Sequence, residues 1–258
     1  MKLIHKIFLA ISFAVIIFLA TIFILPEPEG FPILEYHTIT KTPTLDSEVY
    51  NVPPEEFSAQ LDYLNENGYT TITLQDFMRA KHGKQNLPPK PIILTFDDGY
   101  ADNFTEMLPI LEAHNMTAVV FVVTNLVGKE GYLNLEQLKD MQRRGIEIGS
   151  HTADHLPLTE ESDQSKFRQI HTSKQFLEWS GLETIYTFSY PNGEYSDDLI
   201  EMLKQENYLN AVTGDAGLNN LETNPFLLKR VHIRQPHFGI SEFKFRLWKA
   251  KIFAKFRS

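Results

Sequence analysis

The stretch Pro91-Ile92-Ile93-Leu94-Thr95-Phe96-Asp97-Asp98-Gly99-Tyr100 decides the fold. Its part from Ile92 to Phe96 is apolar without alternation, which is typical of a parallel strand buried on both faces. Because an unpaired buried charge is costly, Asp97 and Asp98 must lie where this strand opens into a loop, and Gly99 permits a sharp turn there. Parallel α/β proteins build their sites at this carboxyl edge, although an ordinary Asp-Gly turn explains the stretch alone equally well.

Outward from this stretch, the chain alternates between predicted strands and helices. Strands are predicted over residues 33–37, 69–74, 92–96, 118–123, 146–148, 184–188, 211–213 and 227–233. Helices are predicted over residues 55–67, 74–80, 104–114, 135–144, 165–177 and 197–205. The alternation indicates one parallel α/β domain, residues 33–240, and a count of about seven strands favours a barrel over an open sheet.

Composition excludes several classes of function. The chain has 258 residues, 43% hydrophobic and 22% charged, which is the composition of a globular protein. A net charge of -9 argues against a nucleic-acid partner, for which a basic face is expected. The absence of cysteine excludes disulfides, thiolate metal sites and cysteine nucleophiles.

The amino-terminal segment predicts a membrane anchor. Residues 7–25 form an apolar run of 19 residues without a charge, long enough to span about 30 Å as a helix. Lys2 and Lys6 precede the run and Glu27 follows it, so the positive-inside rule places the amino end in the cytoplasm. We therefore predict a cytoplasmic stub and transmembrane signal anchor over residues 1–25, a linker over 26–32, and a single-pass cell-membrane protein with an extracellular domain. A cleaved signal peptide shares these features and stays open.

The carboxyl-terminal segment, residues 241–258, has the opposite charge balance from the rest of the chain. It carries six Lys/Arg residues against one Glu. Its apolar residues recur near helical spacing, which predicts a basic amphipathic helix. Such a helix can contact an anionic membrane or cell-wall surface, or it can pack on the domain as a last helix with solvated lysines.

A second chemical signal follows another predicted strand, at His151-Thr152-Ala153-Asp154-His155. Histidines at i and i+4 face the same way on a helical turn, a spacing that suits a metal, although a solvated loop pair is common. With a carboxylate from another strand end they supply two nitrogens and one oxygen, which leaves coordination positions free, as in catalytic metal sites. Adjacent Asp97 and Asp98 cannot point the same way from an extended chain, so one can bind the metal while the other acts as a base.

Three motifs together resemble the polysaccharide deacetylase family, carbohydrate esterase family 4, over roughly Phe31 to Ile233. The matching stretches are Thr95-Phe96-Asp97-Asp98-Gly99-Tyr100, Ser150-His151-Thr152-Ala153-Asp154-His155-Leu156-Pro157-Leu158 and Phe188-Ser189-Tyr190-Pro191-Asn192-Gly193. The resemblance implies a distorted (β/α)7-type barrel. It also implies hydrolysis of N-acetyl groups on an N-acetylglucosamine-containing cell-surface polysaccharide, either peptidoglycan or poly-N-acetylglucosamine. A catalytically silent carbohydrate-binding module on the same barrel is the alternative.

The resemblance further implies roles for individual residues. Asp98, His151 and His155 would bind a divalent metal, usually zinc, with cobalt, nickel or manganese as substitutes. Asp97 would be the general base. Tyr190 and Pro191 would face the substrate, with the Tyr190 backbone N–H stabilising the oxyanion together with the metal.

The general acid is expected to be a histidine. Leu34-Glu35-Tyr36-His37 matches the family's last motif but precedes the first, as in the permuted branch that includes poly-N-acetylglucosamine deacetylases. His37 is therefore the predicted acid, and His232 is the competing candidate. Two departures bear on Asp97: Ser189 stands where many members have an orienting arginine, and the fourth motif is not recognisable, although Asp215 lies in its region.

Overall fold

The computed structural model describes residues 4–7, 9, 11, 13, 29–44 and 47–256. Most of the predicted anchor, and residues 26–28 of the predicted linker, lie outside these ranges. Among the residues described, no helix combines the length and the apolar character needed to cross a membrane.

Seven parallel strands close a barrel within the described residues. They are β1 (Ile33–Tyr36), β3 (Pro91–Phe96), β4 (Val119–Val122), β5 (Glu147–Ser150), β6 (Thr187–Ser189), β7 (Asn210–Ala216) and β8 (Leu228–His232). Neighbouring strands run in the order β1-β8-β7-β6-β5-β4-β3, and β1 pairs with β3 to complete the circle. A two-residue strand, β2 (Thr70–Thr71), pairs with the amino end of β3. The seven-stranded parallel barrel expected from the resemblance is confirmed.

Helices surround the barrel. They are α1 (Pro54–Glu66), α2 (Leu74–Lys81), α3 (Leu108–Ala113), α4 (Leu135–Arg143), α5 (Asp163–Trp179), α6 (Asp197–Gln205) and α7 (Ile240–Lys255). Thr73 begins α2 and Asn134 begins α4, each through a reciprocal capping box. The predicted helix over 104–114 starts instead with a π turn, Asn103–Met107, before α3.

The apolar run of β3 is divided between two hydrophobic clusters. Ile92, Leu94 and Phe96 pack outward into the large cluster shared with the helices, whereas Ile93 packs inward with the smaller one. Alternation along a strand explains this division, because successive side chains point to opposite faces. It also directs Thr95 and then Asp97 toward the barrel axis, which is why a continuous apolar strand ends in a polar site.

The opposite end of the barrel is closed by α2. Leu74 and Phe77 of this helix belong to the inner cluster with Val119 and Phe121. Inside the barrel, a Cβ placed on Gly149 would lie 2.5 Å from both the Phe121 ring and the Thr187 hydroxyl. The narrow interior therefore requires glycine at this point on β5, two residues before the first histidine of the second motif.

Candidate active site

The sequence-predicted residues meet in a cleft of about 340 Å³ at the carboxyl ends of the strands. Its lining includes Glu35, His37, Tyr50, Asp97, Asp98, Tyr100, His151, His155, Tyr190, Asn192, Arg230 and His232. Pro191 is buried and does not line the cleft. Asp215 accepts a hydrogen bond from the Tyr195 hydroxyl at 2.9 Å, and it also lies outside the cleft lining.

Asp98, His151 and His155 form a cluster that fits a metal ion. One ligand atom from each lies within 4.8 Å of the others. The Asp98 carboxylate is 3.7 Å from Nε2 of His151 and 3.6 Å from Nε2 of His155. Nδ1 of His151 donates to the Ser189 carbonyl at 2.8 Å, so Nε2 keeps its lone pair and points it toward Asp98. Two imidazole nitrogens and one carboxylate oxygen are a donor set that divalent metals such as zinc accept.

The two histidines reach the cluster from a loop, so the predicted helical turn is wrong. Residues 151–157 contain no helix, and Thr152 and His155 have φ values of 68° and 57°. The His155 N–H donates to the Thr152 hydroxyl at 2.9 Å, which holds this left-handed path. Asp98 also has a positive φ, 74°. Such backbone conformations are costly for residues other than glycine and gather at functional sites.

Asp97 lies beside this cluster and is held as a carboxylate. Its Oδ1 accepts from Arg230 at 2.9 Å, and its Oδ2 accepts from the Ser189 hydroxyl at 3.1 Å. Burial by itself would raise the pKa of Asp97, but the guanidinium of Arg230, with smaller contributions from His151 and His37, brings this pKa below its ordinary value. Oδ2 is 3.8 Å from Nε2 of His151. Asp97 is therefore an ionised base next to the ligand cluster.

Arg230 is the functional residue that the sequence analysis missed. It comes from the middle of β8, is 2% exposed, and pairs with both Asp97 and Glu35 at 2.9 Å. Its Nε also donates to the Thr213 carbonyl at 3.0 Å. The arginine expected from the third motif is thus replaced by one that enters from another strand, while Ser189 supplies a further hydrogen bond to the same aspartate.

The two candidate acids differ in their hydrogen bonding. Nδ1 of His232 lies 2.8 Å from a Glu35 oxygen and Nε2 lies 2.9 Å from the Gly214 carbonyl. Both partners can only accept while Glu35 is ionised, so both nitrogens carry protons, and the hydrogen bond to Glu35 raises the pKa of His232. In contrast, Nδ1 of His37 is buried without a hydrogen-bond partner among the residues described. The His37 ring packs 4.7 Å from that of Tyr50 at the edge of the cleft.

The predicted oxyanion donor is already engaged. The Tyr190 N–H donates to the Val212 carbonyl at 3.2 Å, which continues the pairing of β6 with β7. The Tyr190 hydroxyl donates to the Phe226 carbonyl at 3.3 Å, and the ring is fully buried. In this conformation Tyr190 supports the wall of the cleft, and its backbone N–H is not free for a substrate oxygen.

Comparisons with known proteins agree with this geometry. A family model described as polysaccharide deacetylase matches residues 84–211. YxkH of Bacillus subtilis, which is named as a polysaccharide deacetylase, is 31% identical to this chain over 207 residues. The match covers 80% of this chain and 72% of that protein. The poly-beta-1,6-N-acetyl-D-glucosamine N-deacetylase of Staphylococcus aureus is 25% identical over 197 residues, covering 67% of this chain and 68% of the relative.

Two solved structures have a similar fold. The Streptococcus pyogenes deacetylase PplD, in complex with acetate, superposes with a TM-score of 0.78 at 26% identity, over 85% of this chain and 99% of the other. IcaB from Ammonifex degensii superposes with a TM-score of 0.72 at 25% identity, over 86% and 97% of the two chains.

Proposed function

Because this chain belongs to the polysaccharide deacetylase family, whose members are hydrolases acting on the carbon–nitrogen bond of N-acetyl groups, we propose that it deacetylates an N-acetylglucosamine-containing polysaccharide of the cell surface. The proposal depends chiefly on one observation. An ionised Asp97, 4% exposed in its side chain, lies next to the cluster of Asp98, His151 and His155. Peptidoglycan and poly-N-acetylglucosamine are the two substrates that we propose.

The ligand cluster supports metal-dependent hydrolysis. A divalent metal, most readily zinc, would be held by Asp98, His151 and His155, and when bound it supplies a Lewis acid that activates water and polarises an amide carbonyl. Cobalt, nickel or manganese could replace zinc, because the same nitrogen and oxygen donors accept them. The Ser189 carbonyl fixes the orientation of His151.

Proton transfer is assigned to two residues that line the cleft at the ends of the neighbouring strands β3 and β1. Oδ2 of Asp97 accepts the proton of the attacking water, and Arg230, which donates to Oδ1, keeps the carboxylate ionised beforehand. His37 donates a proton to the departing amine. We prefer His37 to His232 because both nitrogens of His232 are bound to Glu35 and Gly214, so donation to a substrate would break an existing bond.

Release of acetate tests the proposed function. The purified protein is incubated with peptidoglycan, N-acetylglucosamine oligomers or poly-N-acetylglucosamine, with a chelator or with added zinc, cobalt, nickel or manganese. We expect acetate from at least one polymer, its loss with chelator and its return with metal. Sugar binding without acetate at any metal would instead identify the silent carbohydrate-binding module.

The proposed cellular location is separate from the chemistry. The apolar run of residues 7–25, preceded by Lys2 and Lys6, supports a single-pass anchor in the cell membrane with the barrel outside. Extraction of isolated membranes with alkaline carbonate tests the anchor. Protease treatment of intact spheroplasts, in a separate sample, tests whether the barrel lies outside. Release by carbonate would contradict the anchor, and protection from protease would contradict the extracellular barrel.

A further inference from the structure

The outward face of α7 carries a cluster of exposed aromatic rings. Phe245, Trp248 and Phe253 are 55%, 47% and 53% exposed, and Phe238, just before the helix, is 80% exposed. Because a helix turns 100° per residue, Phe245 and Trp248 lie on one side of α7, about 60° apart, and Phe253 lies about 80° from Phe245 in the other direction. The rings of Phe245 and Trp248 stack 5.6 Å apart. Single exposed apolar residues are ordinary, whereas a contiguous group of large rings marks an interaction surface.

The opposite face of α7 is already used for packing. Phe243 and Leu247 are buried there, and the Phe243 ring meets Tyr63 of α1 edge-on at 6.0 Å. The part of the helix that carries Phe245 and Trp248 is therefore attached to the domain by one side. The exposed aromatic side chains on its other side are additional to those needed for that attachment.

Lysines surround the aromatic face. Lys249 lies over the Phe253 ring with its ammonium 5.6 Å from the ring centre, and Lys244 lies over Tyr63 at 4.9 Å. The segment 241–258 carries six Lys/Arg residues against one Glu on a chain of net charge -9. Lysines that lie beside exposed aromatic rings are typical of helices at a membrane interface.

We propose that this outward face of α7 lies on the surface of an anionic lipid bilayer. Aromatic rings partition into the interfacial layer of a bilayer, and each basic side chain near an anionic surface adds attraction. The combination distinguishes the bilayer from other partners. Two copies of this face would repel each other through their lysines, an anionic wall polymer offers no apolar layer for the rings, and the apolar run of residues 7–25 has no charge to pair with lysine.

A bilayer bound to α7 would also orient the cleft. Arg246 of α7 donates to the main-chain carbonyl of His232 at 3.1 Å, which links the helix to the end of β8. His232 lines the cleft. The distance between the membrane and the cleft is then set by a rigid helix and strand, which would favour polymer close to the membrane surface. The lipid contact itself does not depend on the proposed deacetylase activity.

The two tryptophans of the chain provide matched reporters. Trp248 lies in the aromatic face, and Trp179, at the end of α5, is 80% exposed and outside it. The full-length variants Trp179→Phe and Trp248→Phe each leave one fluorophore. Each is placed in nanodiscs of phosphatidylcholine alone or of an equal mixture with phosphatidylglycerol, with and without brominated acyl chains as quenchers.

We expect the emission of Trp248 to shift to shorter wavelength and to be quenched in the discs that contain phosphatidylglycerol, while Trp179 stays unchanged. The triple variant Lys244→Gln/Lys249→Gln/Lys251→Gln should lose the shift. A control variant that removes the same charge elsewhere should keep the shift in Trp248 emission. This control is Lys84→Gln/Lys129→Gln/Lys204→Gln. Equal behaviour of the two tryptophans would overturn the proposal. A shift of the Trp248 emission in the absence of lipid would also overturn it. A shift that depends on protein concentration would mean that another copy covers the face, and one that does not would mean that another segment of the same chain covers it.

Discussion

Asp97 at the carboxyl end of the barrel and Glu147 at its amino end both carry buried carboxyl groups, and the two residues are 3% and 6% exposed. Asp97 pairs with Arg230. Glu147 forms no ion pair among the residues described, and its Oε2 accepts from the backbone N–H of Gln75 at 3.0 Å, at the start of α2. Burial raises the pKa of Glu147 to about 7, whereas the pKa of Asp97, also opposed by burial, is lowered below its ordinary value by Arg230.

The difference shows that the partner, more than the depth of burial, decides the charge of a buried carboxyl group. At the carboxyl end, buried polar atoms join one network from Asp97 through Arg230 and Glu35 to His232. At the amino end, Oε1 of Glu147 has no hydrogen-bond partner among the residues described. We therefore expect substitutions at the first end to change chemistry and those at the second to change stability.

The largest expected effect is on turnover, from Asp97→Asn. The amide cannot accept a proton, so acetate release should fall about 1,000-fold, within the range general base catalysis supplies. Bound metal should remain, since the ligand cluster is intact. His155→Ala, in contrast, should lose both metal and activity. Elemental analysis beside the acetate assay separates the two variants, and near-normal turnover of Asp97→Asn would remove Asp97 from the role of base.

Arg230→Met should affect both stability and pH dependence. Removing one partner of a buried ion pair costs about 3 kcal/mol or more of unfolding free energy, because Asp97 then remains buried without its counter-charge and Glu35 keeps only His232. The pKa of Asp97 should rise, so the base becomes protonated at higher pH and the acidic limb of the kcat/KM profile moves upward in pH. Arg143→Gln, an exposed arginine on α4, is the matched control. An unmoved acidic limb in Arg230→Met would contradict the assignment.

Much of the site at the carboxyl end of the barrel could be predicted from the sequence, because it follows from where individual strands end. The apolar run of β3 required the two aspartates at its end, and the carboxyl ends of parallel strands meet, which brought Asp98 to His151 and His155. The helical turn was wrong because a loop with left-handed residues also brings histidines four positions apart together. Nothing in the residue types of Thr152 and His155 specifies that path.

Arg230 could not be assigned from local pattern alone. Within β8, Lys229 and Arg230 are adjacent and basic, and the inward residue depends on strand register. One signal was present, because the candidate histidine His232 lies two residues later and alternation places both on the same face. The partner of Asp97, 133 positions away in sequence, became evident only when the barrel closed.

A smaller loss of rate distinguishes the two histidines of the cleft. His37→Ala should slow acetate release about 100-fold, at the lower end of general acid catalysis, with metal and stability unchanged. His232→Ala should destabilise the fold by removing the bond to Glu35, and it should slow the reaction less. Comparison of kcat for the two variants, with urea unfolding as the second measurement, decides between them. If His232→Ala causes the larger loss of kcat, the acid comes from β8.

The smallest effect is expected from Glu147→Gln and appears only in stability. The folded pKa of about 7 exceeds the ordinary value of 4.5, so the folded state retains a proton that the unfolded chain releases. This contribution is fully present below pH 4.5 and is lost as pH rises through about 7, with an upper limit of about 3 kcal/mol. Glutamine is neutral throughout and still accepts from the Gln75 N–H.

Urea unfolding of the full chain across this pH range should therefore show the wild-type protein losing stability relative to Glu147→Gln as pH rises, with acetate release equal in the two. Glu112→Gln, an exposed residue paired with Arg144, should leave this pH dependence as in the wild type. Parallel curves for Glu147→Gln and the wild-type protein would mean that Glu147 is ionised in the fold like Asp97. In that case the two ends of the barrel would not differ in the charge of their buried carboxyl groups.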